Sequence, residues 1–260
     1  MRKKDKTPII KAIRMLGIAS RNEAVSLIKA GKVRVNGRVV NEFYKVQEGD
    51  VIEVGIEKFE WKNPDKVYLI LNKPAGFSSQ KGEEPTVYSL VPHIKGLFAV
   101  GRLDRNTEGL LLFTNDGDIG NRMLNPKNSI ERKYLVGVEG EVSLAKLNAL
   151  KKGFWKVIEK NKRDKVIKEK VLFKAKEVRF LYFDGKLSWI ELVLTTGKKR
   201  EVRELMKAVG YKVRKLVRIS FGPLTLGDLE IGSWRYLTDE EVKKLKEALG
   251  LKDGNFPNSV

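Results

Sequence analysis

The stretch that most constrains this chain is Gly101-Arg102-Leu103-Asp104-Arg105-Asn106-Thr107-Glu108-Gly109, followed by the mostly apolar run Leu110 to Thr114 and then Asn115-Asp116-Gly117-Asp118. A carboxylate set between two arginines, with a run that reads as a buried strand directly after it, is an acid fixed at the edge of a folded sheet. With Arg102 and Arg105 as neighbours, Asp104 is better suited to act as a nucleophile than as a proton donor. From the residues alone a second reading stands beside this one, in which Asp104 caps a turn and pairs with a surface arginine.

Taken at full length, the eighteen residues from Gly101 to Asp118 resemble the signature of the pseudouridine synthases that modify ribosomal RNA, in the branch acting on small-subunit and large-subunit uridines. The resemblance implies that Asp104 is the essential catalytic residue. It also implies an α+β catalytic domain on a mixed, largely antiparallel central sheet with flanking helices.

Composition narrows the chemistry independently. The 260 residues include no cysteine, so disulfides, thiolate nucleophiles and sulfur-based zinc sites are excluded. A single histidine, His93 in a loop-like context, argues against His-based triads and multi-His metal sites. No P-loop glycine pattern appears and no Gly-x-Gly-x-x-Gly follows a strand, so a nucleotide or dinucleotide cofactor is not expected, and the resemblance implies a reaction that needs no cofactor or metal. No apolar run approaches the roughly 20 residues of a membrane span, and Met1 to Lys6 leads into no signal-like region, so a cytoplasmic monomer is expected.

The net charge of +19 calls for a polyanionic partner. Its placement is uneven: residues 151 to 219 carry 22 Lys and Arg against 8 Asp and Glu, and residues 1 to 60 carry 13 against 8. Two basic regions separated by a neutral one suggest an extended nucleic-acid track touched by two parts of the chain. A solvated lysine-rich surface would have the same composition.

Residues 1–55 read as a compact α/β unit. Ile9 to Leu16 has helical spacing, Ser20-Arg21-Asn22-Glu23 is a capping box for a second helix to Ala30, and Gly31 stops it. Lys32 to Val40 then alternates around Asn36-Gly37, a strong hairpin signal, and Gly49-Asp50 turns the chain into a strand at Val51 to Val54. Arg21, Lys29, Lys32, Arg34 and Arg38 are expected on one surface, facing phosphates. Ala19-Ser20-Arg21 and Val33-Arg34-Val35-Asn36-Gly37 resemble the RNA-binding module named after ribosomal protein S-four; a protein-docking module is the other reading. Residues 56–66 lose periodicity and contain a proline, which reads as a linker.

The catalytic domain is expected at residues 67–250. Val67 to Leu71 reads as a buried strand ended by Asn72-Lys73-Pro74-Ala75-Gly76, a string that recurs at the start of the family's catalytic domain. A short helix is expected at Thr86 to Leu90, strands at Phe98 to Val100 and Leu110 to Thr114, and helices at Asp116 to Leu124 and Ser143 to Lys152. Arg132 to Val138 alternates as a strand, and its pattern alone makes Tyr134 a half-buried residue. The family's Lys-x-Tyr motif implies more, a tyrosine that stacks on the target base, with Arg132 where the lysine usually stands.

Between Phe154 and Phe183 short strands are broken by a basic segment, Lys160 to Lys165, read as an exposed hairpin tip or an RNA contact. Lys199 to Val209 is predicted helical: Val202, Leu205, Met206 and Val209 form its apolar stripe, while Arg200, Arg203 and Lys207 line another face, with Arg203 at the border. Arg-Glu-Val-Arg followed by the strand Val213 to Ile219 resembles the family's third motif. This implies that Arg203 pairs with Asp104 and that Leu216 packs under the base. Arg102, Arg218, Arg200 and Lys207 are the remaining substrate-binding candidates, Arg102 to fill the place the flipped nucleotide leaves. Glu201 stands where many relatives carry Gln. A capped helix from Thr238 to Leu249 and a disordered tail over 251–260 complete the chain.

The resemblance implies conversion of a uridine of rRNA, large-subunit rRNA favoured, to pseudouridine, with attack on the sugar and attack on the base both open. The competing function is a non-enzymatic rRNA-binding assembly factor.

Overall fold

The computed structural model describes residues 6–63, 65–162 and 165–251, and side chains outside 160–167. Residues 252–260 of the expected tail and residues 163–164 of the basic segment lie outside the described residues. The chain divides into two units, one running to Val67 and including His93–Phe98, the other comprising Tyr68–Pro92 and the residues from Ala99 onward.

In the first unit β1 (Thr7–Pro8) leads into α1 (Ile9–Met15) and α2 (Arg21–Lys29), followed by β2 (Val33–Val35), β3 (Arg38–Val39), β4 (Lys45–Val46), β5 (Val51–Val54) and β6 (Glu57–Glu60). The capping box forms as read, with Ser20 and Glu23 each accepting the other's backbone N–H. Asn36 and Gly37 both take positive φ (50° and 79°), the requirement of a tight hairpin turn with the twist of its strands. Ile9, Ile13, Ala24, Ile28, Val33, Val35 and Ile52 fill one core beneath a sheet of order β3-β2-β5-β6.

Two expectations are corrected here. Residues 57–60, read as linker, form β6 paired with β5, and Trp61 after it is 1% exposed in this core. An edge strand is held by backbone hydrogen bonds and needs no alternating side chains, so periodicity could not reveal it. The five cations also do not share a surface. All are exposed, but Arg34 stands opposite Val39 and Arg38 opposite Val35. Facing cross-strand residues point the same way and neighbours along a strand point apart, so Arg34 and Arg38 lie on opposite faces of the sheet.

The second unit holds β7 (Tyr68–Lys73), β9 (Glu108–Thr114), α3 (Gly117–Leu124), β10 (Arg132–Glu139), α4 (Leu144–Lys152), β11 (Phe154–Lys162), β12 (Lys165–Phe173), β13 (Glu177–Phe183), β14 (Leu187–Leu194), α5 (Glu201–Ala208), β15 (Val213–Phe221), β16 (Leu224–Thr225), β17 (Trp234–Tyr236) and α6 (Asp239–Ala248). The short β8 (Phe98–Ala99) lies where the chain passes between units. The central sheet runs β13-β14-β10-β15-β9-β7-β17. β15 and β9 are parallel, and every other neighbouring pair along this path is antiparallel. Val136, Ile190, Leu192 and Leu216 of the sheet meet Leu147 and Leu150 of α4 and Leu205 and Met206 of α5 in one core. β7 is buried at every position.

The parallel pair is short. It consists, among the described residues, of Val217 facing Glu108 and Arg218 facing Gly109. Where the strands part, the Arg218 side chain takes over, its Nε donating to the Leu110 carbonyl at 2.8 Å. The close approach requires a glycine: Gly109 has φ +101°, and a Cβ there would lie 2.3 Å from the Arg218 carbonyl oxygen. Gly109→Ala is therefore expected to cost roughly 2–4 kcal/mol in urea unfolding. Gly117→Ala, where a Cβ meets nothing within 4 Å, serves as the neutral control.

Candidate active site

Asp104 lies in the loop leading into β9, and that loop is held by its own carbonyls. Leu103 O accepts from Ser79 Oγ (3.0 Å), Asp104 O from the Thr107 N–H (2.9 Å), and Arg105 O from the Gly76 N–H (2.9 Å). Asn106 O accepts from Arg203 Nη2 (3.0 Å) and Thr107 O from Lys73 Nζ (2.9 Å). Lys73 Nζ also donates to Arg105 O (3.0 Å) and Pro74 O (2.9 Å), so one ammonium fills three carbonyls at the end of β7. Lys73 is fully buried, and burial pushes its pKa down to about 8 against the pull of Glu108 and Asp104.

A cavity of about 530 Å³ opens beside this loop. Asp104, Tyr134, Leu194, Val202 and Leu216 line it together with Ser79 and Gln80, and Arg102, Arg105, Lys198, Lys199 and Arg200 give it cationic walls. Tyr134 and Leu216, 8% and 5% exposed, come from the adjacent strands β10 and β15. The lining thus combines an aromatic ring, aliphatic side chains and a carboxylate, with cations around them. Such a cavity suits a planar polar ring carried on an anionic backbone.

The loop at Thr196–Glu201 supplies much of the cationic wall. Glu201, 3% exposed, accepts from Thr196 Oγ1 (2.5 Å) and the Lys198 N–H (3.0 Å), and Lys198 Nζ lies 3.3 Å from its Oε1. Arg200 takes the left-handed conformation at φ 55° and caps α5 instead of belonging to it. The helix therefore begins two residues later than its periodicity suggests, and Arg200 leaves the face shared by Arg203 and Lys207.

That shift redirects the expected ion pair. Arg200 Nη1 lies 3.8 Å from Asp104 Oδ2, whereas Arg203 donates to the carbonyls of Asn106 and Val213. Arg203 reaches the Asp104 loop by its backbone and not by the carboxylate. Burial, with Arg200 nearby, holds the Arg203 pKa below its ordinary value. The arginines flanking Asp104 also point elsewhere, Arg102 to Gln80 Oε1 and Arg105 to the carbonyls of Gly76 and Glu83.

Arg218, expected to touch substrate, is 3% exposed and stands behind Tyr134. Its guanidinium lies 4.6 Å from the Phe221 ring, with Nη2 lacking a partner among the described residues. Burial lowers its pKa, opposed by Tyr134. Arg132 flanks the same ring at 5.0 Å and donates to Ile130 O at 2.7 Å. Lys207 is exposed and lines no part of the cavity. The structure thus brings Asp104, Tyr134, Leu216, Arg102 and Arg200 to one cavity and leaves Arg203, Arg218 and Lys207 outside its lining.

Residues 67–208 match the model of the RNA pseudouridylate synthases, more than half of the chain, and residues 7–52 match the S4 domain. The chain belongs to the RNA pseudouridylate synthase family. It is 39% identical over 243 residues to an Aquifex aeolicus protein named an uncharacterized RNA pseudouridine synthase, covering 91% of this chain and 92% of that one. It is 37% identical over 241 residues to the ribosomal large subunit pseudouridine synthase B of Bacillus subtilis, covering 91% and 94%. A crystal structure of a pseudouridylate synthase superposes with a TM-score of 0.60 at 27% identity, covering 92% of this chain and 99% of that one.

Sequence reading missed the roles of Lys73, Ser79 and Glu201 in holding this synthase's site. For Lys73 a signal existed, since a lysine closing the run Tyr68-Leu69-Ile70-Leu71 must bury its ammonium against acceptors. A lysine whose folded pKa lies below its unfolded value of about 10.4 binds fewer protons when folded between those limits, so this group favours folding more as pH rises from about 8. The loop responds oppositely, because a neutral amine has only two N–H donors for three carbonyls. Between pH 8 and 10 the wild-type chain is thus expected to gain stability relative to Lys73→Met while its single-turnover rate falls. Parallel melting curves and pH–rate profiles of the two proteins check both directions.

Proposed function

We propose that this enzyme converts a uridine of large-subunit rRNA to pseudouridine, with Asp104 as the nucleophile at the reacting carbon. The observation that carries the reading is the convergence of Asp104, Tyr134 and Leu216 on one cationic-walled cavity, in a chain of this family whose relatives include a large-subunit rRNA synthase. The isomerisation needs no energy source, since one glycosidic bond is exchanged for a stronger one. A paired uridine must first be flipped out, at a cost of roughly a few kcal/mol. Tyr134 and Leu216 form the slot that receives the uracil ring, and Arg200 and Lys199 bind the phosphates beside it. Arg102, released from Gln80, fills the vacated position in the RNA. No described helix is long and apolar enough to cross a membrane, and the proposed setting is the cytoplasm, with the protein acting as a monomer.

Arg203 acts in this scheme by fixing the Asn106 carbonyl and so the direction of Asp104. Arg200, its side chain half-exposed, contributes mainly to RNA affinity.

Asp104→Asn is expected to reduce pseudouridine formation below about a hundredth of wild type while leaving rRNA affinity within a few-fold, because shape is retained and the nucleophile is lost. Arg203→Met should lower the single-turnover rate more than affinity, and Arg200→Met affinity more than the rate. Pseudouridine mapping and RNA titrations on the same samples decide. Undiminished turnover in Asp104→Asn removes the nucleophile assignment. RNA binding by the wild-type chain with no uridine converted at all would favour the assembly-factor reading.

A further inference from the structure

The hairpin β11–β12 is built with two unlike faces. On its inner face Phe154 stacks on Phe173 at 5.5 Å, and Phe154, Phe173 and Val171 pack on the core of the second unit. Register places Trp155 opposite Leu172, Val157 opposite Lys170 and Glu159 opposite Lys168 on the outer face. There Trp155 is 67% and Val157 51% exposed, with Lys168 and Lys170 also exposed, and Lys168 lies 3.6 Å from Glu159. A tryptophan two-thirds in water on a strand whose other face is buried leaves most of its apolar surface unused by the fold, and cations beside it suit an anionic partner with flat rings.

The hairpin is tied to the catalytic cavity at its base. Lys156 Nζ reaches Glu204 of α5 at 2.5 Å. Lys198, whose side chain belongs to the cavity wall, donates to the Leu172 carbonyl and lies 5.4 Å from the Phe173 ring. Trp155 is therefore one strand spacing, about 4.8 Å, from the strand that Lys198 grips.

We propose that the outer face of this hairpin is a stacking platform for an unpaired nucleotide flanking the target uridine. Trp155 supplies the ring, Val157 and Leu172 the apolar surround, and Lys168 and Lys170 the phosphate contacts. The proposal rests on the RNA-modifying reading of the cavity and adds a second, separate point of RNA contact. Flipping the target leaves its neighbours without a stacking partner on one side, and an exposed indole on the hairpin that Lys198 ties to the cavity wall offers them a replacement.

The test is RNA titration with Trp155→Ala, Trp155→Phe and a Lys168→Gln/Lys170→Gln pair, using an rRNA fragment with the target in an unpaired loop and a fully paired duplex of equal length. Trp155→Ala is expected to weaken loop binding by about five- to a hundred-fold, the range of base–aromatic stacking. Trp155→Phe should retain most of the affinity, and duplex binding should change little. The lysine pair should weaken loop binding at low salt and flatten its salt dependence. Since Trp155 is largely exposed, unchanged melting curves separate these effects from misfolding. Equal loop affinity and salt slope in wild type and Trp155→Ala overturn the proposal, and so does a phenylalanine variant as weak as the alanine one. Affinity and conversion are read separately, so absence of pseudouridine in the wild-type reaction would count against the catalytic reading while a Trp155-dependent loss of affinity still upheld the platform.

Discussion

The ammonium of Lys73 is the contact on which the site depends. Burying an unpaired amine is expensive, and three carbonyls at 2.9–3.0 Å offset that cost here. The same bonds supply donors to backbone groups of a tight loop that has no sheet partner of its own. β7 is covered on all sides, so Lys73 has little freedom and the loop around Asp104 inherits its rigidity. A methionine would leave the carbonyls of Pro74 and Thr107 without the donor described for them, and that of Arg105 with the Gly76 N–H alone. Arg203 completes the arrangement from the opposite side of the loop through Asn106.

Behind the cavity the electrostatics are as unusual as at its rim. Arg132 and Arg218 are both buried and flank one aromatic ring, Phe221, and the buried anion of this region is Glu201. Two guanidiniums with one carboxylate in a poorly solvated layer leave a positive field facing the apolar wall of the cavity. A polyanion therefore meets cations at the surface and a favourable potential deeper in. Tyr134 faces Arg218 across the β10–β15 pair and so stands within that field.

Much of this was legible in the residues. The string around Asp104, the alternation that half-buries Tyr134 and the apolar stripe of α5 are local patterns with local causes, while the placing of Tyr134 and Leu216 at the site came from the family resemblance. The failures share a physical origin. Periodicity gives the face a residue occupies on its own element but not the group its tip meets, so Arg203 was aimed at a carboxylate and found a carbonyl two residues on. A left-handed Arg200 is invisible to helical spacing, since nothing in its side chain demands that backbone. Arg34 and Arg38 were grouped by charge, and strand register then parted them. β6 escaped because backbone pairing leaves no mark on composition.

The parallel contact between β9 and β15 also sets an order of assembly. Antiparallel neighbours can be joined by a turn, but these two strands meet across more than a hundred intervening residues. The first unit's core is nearly complete once Trp61 has been synthesised, and β7 and β9 can pair soon afterwards. Arg203, Leu216 and Arg218 arrive only with the last quarter of the chain. During synthesis the Asp104 loop is consequently without its second clamp, and the cavity without one wall, until most of the protein has left the ribosome.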